Sequence, residues 1–328
     1  MLRRSGMQKE LIVQAAANAF GLDSNLLAYV GGNVNEIYQH PAQNGYPARV
    51  LRLSNQQFRS ELEAVAELHF MNYLFENGVS VPKIFPSKAG QWVENVTEGH
   101  HASVFSQAPG RIPTDEDWNP KLFIQWGRIL GQMHLLTQSY LPLKEIKRKP
   151  WSEDPWMDLM RLPTEETIAR QKAAELLSWL HTLPTDSKNY GLIHSDLHSK
   201  NIFVTEDGTV TAFDFDDCLY HWFAYDIAII LYLAILRFNR QAQAQASGAR
   251  DDQVAWFLDS FLKGYQEMLP IDPWWLQAIP KFLSLRRLSD FHFLHQRYDW
   301  NTVEGELKTT WLRMKAEIEA DEPLTKVL

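Results

Sequence analysis

One cysteine, Cys218, in 328 residues excludes an intramolecular disulfide framework. Apolar runs long enough to cross a bilayer, ~20 residues, are also missing: WFAYDIAIILYLAILRF, from Trp222 to Phe238, is too short and is interrupted by a carboxylate. Positive charge is scarce, because 32 Lys and Arg stand against 40 Asp and Glu, for a net charge of -8. That balance argues against nucleic acid as the main partner, since neutralising phosphates takes clustered basic side chains. Internal repeats and low-complexity tracts are absent, and no signal-peptide pattern opens the chain. The expectation is a cytoplasmic protein with no membrane partner; composition says nothing of its oligomeric state. With 45% apolar and 22% charged residues, the chain has room for two globular domains.

Against that ordinary background one stretch is unusual. His194 Ser195 Asp196 Leu197 His198 Ser199 Lys200 Asn201 lies between the short apolar runs Gly191–Ile193 and Ile202–Val204, so a polar loop is held between two buried anchors. Glu206 Asp207 Gly208 is a turn signal, and Thr209 to Phe213 alternates like a return strand, which brings Asp214 of AFDFDD beside that loop. Magnesium prefers hard oxygens, usually one or two side chains with water and phosphate completing the octahedron, and Asn201 with Asp214 supplies such a pair. Asp196 is then left to accept a hydrogen bond from an attacking hydroxyl and aim it at a phosphoryl group. Each residue taken singly fits an ordinary turn; type, spacing and flanking strands together point to phosphoryl transfer. Asp226, alone in its apolar helix, needs donors from a neighbouring loop.

HSDLHSKN, AFDFDD and the later Tyr225 Asp226 Ile227 Ala228 resemble the catalytic core of the superfamily of aminoglycoside phosphotransferases, choline kinases and type II homoserine kinases. The resemblance implies an α+β, bilobal protein-kinase-like fold. Residues 1–107 would form a nucleotide-binding lobe of antiparallel sheet with helices, and 108–328 a larger, mainly helical catalytic and substrate lobe. It also implies ATP and Mg²⁺ as cofactors, a small-molecule hydroxyl as acceptor, Asp196 as catalytic base, Asn201 and Asp214 as metal ligands, and His194 and Asp226 as supports of the catalytic loop. Ser195 stands where the family more often has Gly.

The first hundred residues read as a helix from Met7 to Phe20 and then strands. Gly31 Gly32 Asn33 forms a turn whose amides can approach phosphate oxygens, or which merely closes a hairpin. Arg52, on the strand from Ala48 to Leu53, takes the place of the family's Lys, and the resemblance makes Glu67 its partner on a helix expected from Phe58 to Phe75. His100 and His101 read as turn residues. At the shift from strands to helices, the Ser106 carbonyl and Ala108 amide are, by resemblance, the adenine contacts, because Pro109 has no N–H to give.

Beyond the hinge, helices are expected over 122–140, 165–181, 222–238, 254–268 and 274–295. Nine of the twelve Trp lie from position 151 onward and read mainly as packing. Arg286, Arg287, Asp290, His292 and His295 share one helix and could bind a carboxylate. The rivals are a Ser/Thr protein kinase, disfavoured because few residues separate Asp217 from Trp222, and a nucleotide-binding protein without catalysis.

Overall fold

Leu51 and Leu53 alternate with Arg52, and that alternation decides what each face of the first sheet buries. The computed structural model describes residues 6–32, 34–43, 45–97, 99–245 and 250–327, so Asn33 of the glycine turn and Asn44 lie outside the described residues. The chain divides into two compact units, each drawn from separate stretches.

The first unit takes the residues up to Arg111 with Tyr140–Arg148 and Ile202–Asp216. Strands β1 (Ala28–Gly31), β2 (Glu36–His40), β3 (Arg49–Asn55), β4 (Ile84–Phe85), β5 (Glu94–Thr97) and β6 (His100–Ser106) make an antiparallel sheet. Its order is β1-β2-β3-β6-β4, with β5 also on β6. Leu51, Leu53, Ala102 and Val104 share a core with Ile12, Ala16 and Phe20 of helix α1 (Gly6–Phe20). Arg52, on the opposite face, meets Glu67 of helix α2 (Glu61–Glu76).

Helix α2 starts three residues later than its apolar period suggests. Ser60 accepts the Glu63 N–H while the Glu63 carboxylate accepts the Ser60 N–H, a capping box that leaves Phe58 in the preceding turn. His100 and His101 are the first residues of β6 and are buried, where turn residues were expected; an irregular register pairing Thr97 with His100 shortens the turn. The hairpin of β8 (Ile202–Val204) and β9 (Val210–Ala212) belongs to this unit, and the Ala212 N–H donates to the Ser80 carbonyl at 3.0 Å.

The second unit comprises Ile112–Ser139, Lys149–Asn201 and the chain from Asp217 onward. It contains α3 (Pro120–Thr137), α4 (Thr167–Leu180), α5 (Phe223–Gln245), α6 (Arg250–Met268), α7 (Pro273–Arg297) and α8 (Gly305–Glu319). Between them β7 (Tyr190–Ile193) pairs antiparallel with β10 (Leu219–Trp222). Helix α8 was not anticipated: it buries Trp311 and Ile318, and Trp311 stacks on Trp300 with centroids 4.7 Å apart and on Phe291 at 6.0 Å. Trp151, too, is buried against Trp222, so these aromatics serve packing. No helix among the described residues is long and apolar enough to cross a membrane.

Helices α3 and α6 approach backbone to backbone through small residues. A Cβ on Gly264 would sit 1.9 Å from the Ile124 carbonyl oxygen, and one on Gly127 would sit 1.9 Å from that of Phe261. Alanine would gain ~1 kcal/mol of helix propensity at such a site, but a clash with backbone cannot relax by a rotamer change and outweighs it. Gly264→Ala is therefore expected to destabilise the protein by ~1–3 kcal/mol in urea unfolding; an unchanged or higher midpoint would contradict this packing.

Candidate active site

A carboxylate with no solvent contact organises the loop after β7. Asp226, in the first turn of α5, is fully buried. Its Oδ2 accepts the His194 N–H at 2.9 Å and its Oδ1 the Ser195 N–H at 3.0 Å. His134 of α3 lies on the other side, with Nε2 3.2 Å from Asp226 Oδ2 and Nδ1 2.9 Å from the Tyr265 hydroxyl. Donating two successive amides into one carboxylate bends the chain, and Ser195 takes φ +68°. That left-handed conformation costs a non-glycine residue ~1 kcal/mol, less than the several kcal/mol of an unmatched buried charge.

The bend presents Asp196, which is partly exposed. Its N–H donates to His194 Nδ1 at 3.3 Å, and its carboxylate receives two groups from farther along the loop. Asn201 Nδ2 donates to both the Asp196 carbonyl, at 2.9 Å, and Asp196 Oδ2, at 3.2 Å. His198 Nε2 lies 3.4 Å from the same Oδ2. Because His198 Nδ1 accepts the Lys200 N–H at 3.0 Å, the ring proton is assigned to Nε2, facing Asp196. Burial, with the charges of His194, Arg286 and Lys200, lowers the His198 pKa to about 4, so the ring is neutral at pH 7. The loop thus gathers Asp196, Asn201 and His198, the last of which carried no assigned role in the sequence although it stands in the motif.

In the first unit the structure brings Arg52 and Glu67 together as a buried bidentate pair, Nη1 to Oε1 at 2.7 Å and Nη2 to Oε2 at 2.8 Å. Burial alone would lower the Arg52 pKa, but the Glu67 charge and hydrogen bonds, with Asp216 and Asp214, raise it. Asp214 is exposed at φ +67°, between Phe213, edge-on to Phe203 at 4.8 Å, and Phe215, which is buried against Phe70. Sequence reasoning missed Asp216. It is 7% exposed, and Arg59 Nη2 lies 3.4 Å from its Oδ2. Burial would raise its carboxyl, yet the Arg59, Arg52 and Arg148 charges hold it below the usual range. The available signal was its spacing: two residues past Asp214, on the same alternation.

The remaining candidates occupy distinct places. Gly31 and Gly32 have φ +135° and +128°, and a Cβ on Gly32 would lie 1.8 Å from the Asn35 carbonyl oxygen, so this bend admits only glycine. Ser106 ends β6, its N–H donating to the Lys83 carbonyl at 2.8 Å, and buried Ala108 follows two residues on. The charged cluster expected on α7 is split. Arg286 pairs with Asp290 at 3.0 Å and its charge is felt at Asp196 and His198, whereas Arg287 binds the Glu322 carbonyl at 3.0 Å and His295 faces Glu166 at 3.6 Å. Helical geometry explains the split, since neighbouring residues project about 100° apart.

The donor set can be tested against a magnesium nucleotide. Both Asn201 side-chain hydrogen bonds leave from Nδ2, so its Oδ1 is the hard oxygen at the other end of the amide. The buried Arg52 Nε has no acceptor among the described residues. Among the described residues no group of three or more His, Cys, Asp or Glu is placed to hold a metal. Taken by chemistry alone, an amide oxygen on Asn201 and a carboxylate on Asp214 are donors of the kind magnesium takes.

The brace is open to direct measurement. Asp226→Ala removes the shared acceptor of two buried amides and is expected to cost ~3–5 kcal/mol in urea unfolding. A loss below ~1 kcal/mol would mean that the loop holds its shape without Asp226.

Residues 27–268 match the model of the phosphotransferase enzyme family. Amicoumacin kinase of Bacillus subtilis (strain 168) is 34% identical over 326 residues, covering 97% of this chain and 94% of that protein. A solved amicoumacin kinase, hAmiN, in complex with AMP-PNP, Ca²⁺ and Ami, superposes with a TM-score of 0.89 at 31% identity, over 98% of this chain and 96% of the other. The microcompartment-associated aminopropanol kinase has the same fold, with a TM-score of 0.72 at 23% identity over 94% of this chain and 95% of its own. The chain belongs to the phosphotransferase enzyme family.

Proposed function

We propose that the chain is an ATP-dependent kinase that transfers the γ-phosphoryl group to a hydroxyl of a small molecule. The observation that carries the reading is the setting of Asp196: a partly exposed carboxylate aimed by Asn201 Nδ2 and a neutral His198, on a loop braced by buried Asp226. Asp196 accepts the hydrogen bond of the acceptor hydroxyl and orients it; phosphoryl transfer asks for positioning more than for a strong base. Asn201 and Asp214 are the side chains assigned to magnesium, Gly31 and Gly32 with Arg52 to the phosphates, and the Ser106 carbonyl and Ala108 amide to adenine. ATP supplies the phosphoryl group, and magnesium offsets the charge of its triphosphate.

By function, residues 1–107 bind the nucleotide and 108–328 carry catalysis and the acceptor, with Asp214 packed in the first compact unit. Arg52 in place of Lys is compatible with this role. Its two terminal nitrogens are spent on Glu67, so it acts toward phosphate through its charge and Nε. A protein-kinase reading is disfavoured by β10, which begins at Leu219, directly after Asp217 and Cys218, and leaves no room for a long peptide-binding segment. Likeness to amicoumacin kinases over nearly the whole chain makes amicoumacin the first acceptor to assay. We place the protein in the cytoplasm, where ATP is available and Cys218 stays reduced.

Mg-ATP at about 100 times its dissociation constant should raise stability by ~2.7 kcal/mol, visible as a melting shift of a few degrees that AMP does not give. No shift at saturating nucleotide would remove the kinase reading. Asp196→Asn is expected to lower kcat by ~10²–10⁴-fold while the affinity for Mg-ATP stays within ~2-fold. Wild-type turnover in that variant would show that another group receives the hydroxyl.

A further inference from the structure

The stretch Tyr140–Arg148 joins two segments of the second unit, yet it packs in the first. It is not held there by apolar burial alone, since Leu141 is 82% exposed. Two clips fasten it to helix α2. Near its start the Tyr140 hydroxyl lies 2.8 Å from His69 Nδ1 and its ring meets Phe70 edge-on at 5.0 Å. At its end Arg148, 4% exposed, uses its planar fork on two main-chain carbonyls. Nη1 donates to the Glu63 carbonyl at 3.1 Å and Nη2 donates to the Asp216 carbonyl.

Both carbonyls are placed to matter. In α2 the Glu63 carbonyl is the acceptor for the amide four residues on, that of Glu67, so Arg148 holds the helical turn that carries the partner of Arg52. The Asp216 carbonyl is two residues beyond Asp214, and the Asp216 side chain is held by Arg59, so one end of the Asp214 turn is pinned through main chain and side chain together. Asp214 itself sits at φ +67°, in a backbone conformation that a free turn would leave. A guanidinium can bridge two acceptors with two parallel N–H groups; an ammonium, a point donor on a flexible stem, cannot hold both in register.

We propose that Arg148 is a positioning residue, tying helix α2 and its Glu67–Arg52 pair to the turn that bears Asp214, so that the phosphate-facing cation and the metal ligand are set as one piece. The inference rests on the reading of Asp214 as a magnesium ligand. It assigns Arg148 no contact with nucleotide or acceptor.

The test is calorimetric binding of ATP to the full chain with excess Mg²⁺ and again with EDTA, the readout being the ratio of the two affinities. Arg148→Met is expected to cut that ratio by about tenfold, and to cut it no further when introduced into Asp214→Asn. Arg148→Lys keeps the charge and one hydrogen bond and should lose about threefold; it carries the test where Arg148→Met does not fold. A lowered melting temperature with an unchanged ratio would make Arg148 merely structural and overturn the proposal while leaving the kinase reading intact. An unchanged ratio in Asp214→Asn alone would instead remove Asp214 from the metal site, and the proposal with it.

Discussion

The matching of one buried charge shapes the loop after β7. Asp226 has no solvent to satisfy it, so its oxygens draw in the amides of His194 and Ser195 and the ring of His134. Those bonds fix the direction in which the chain leaves β7, force Ser195 into the left-handed region, and so decide where Asp196 points. The ordering of energies is what makes the arrangement stable: a strained φ costs ~1 kcal/mol, whereas an uncompensated buried carboxylate costs several. Ser195 in place of glycine is tolerated for that reason.

A second set of charges, buried except for half-buried Arg59, orders the first unit. Glu67, Arg52, Asp216, Arg59 and Arg148 lie close enough that Arg52 senses both Asp216 and Glu67, and Asp216 senses Arg59, Arg52 and Arg148. Buried pairs of this kind contribute little net stability against apolar residues of similar volume, because desolvation offsets their attraction. Their worth lies in geometry. Guanidinium forks fix angles as well as distances, and here they run from β3 to helix α2 and, through Arg148, from α2 to the turn at 213–216.

Much of this was readable in the residues, where chemistry is local. Gly191–Ile193, the polar loop and Ile202–Val204 read correctly as strand, loop and strand because apolar anchors bracket them. The apolar period found helix α2, but the period cannot see a cap, and the Ser60–Glu63 box moved its start. Strand β4, two residues long, carries too few residues for alternation to register. Arg148 was illegible for a different reason. It looks like one cation in a basic, proline-punctuated linker, and the two carbonyls that its fork binds leave no trace in side-chain spacing.

The same reasoning explains why the loop motif is silent on the acceptor. In the role proposed for it, Asp196 needs only a hydroxyl within reach, and many small molecules offer one, so discrimination would fall to the side chains around it. On α7 the sequence offers a crowd of charges, but Arg287 is spent on the C-terminal segment and His295 on Glu166. What α7 directs toward Asp196 is the charge of Arg286, already paired with Asp290 at 3.0 Å. An arginine so committed keeps its charge but has little freedom to fold around a ligand carboxylate. On the proposed reading it would lend the acceptor side a fixed shape and a balanced charge, and leave selection among alcohols to the fit of the whole molecule.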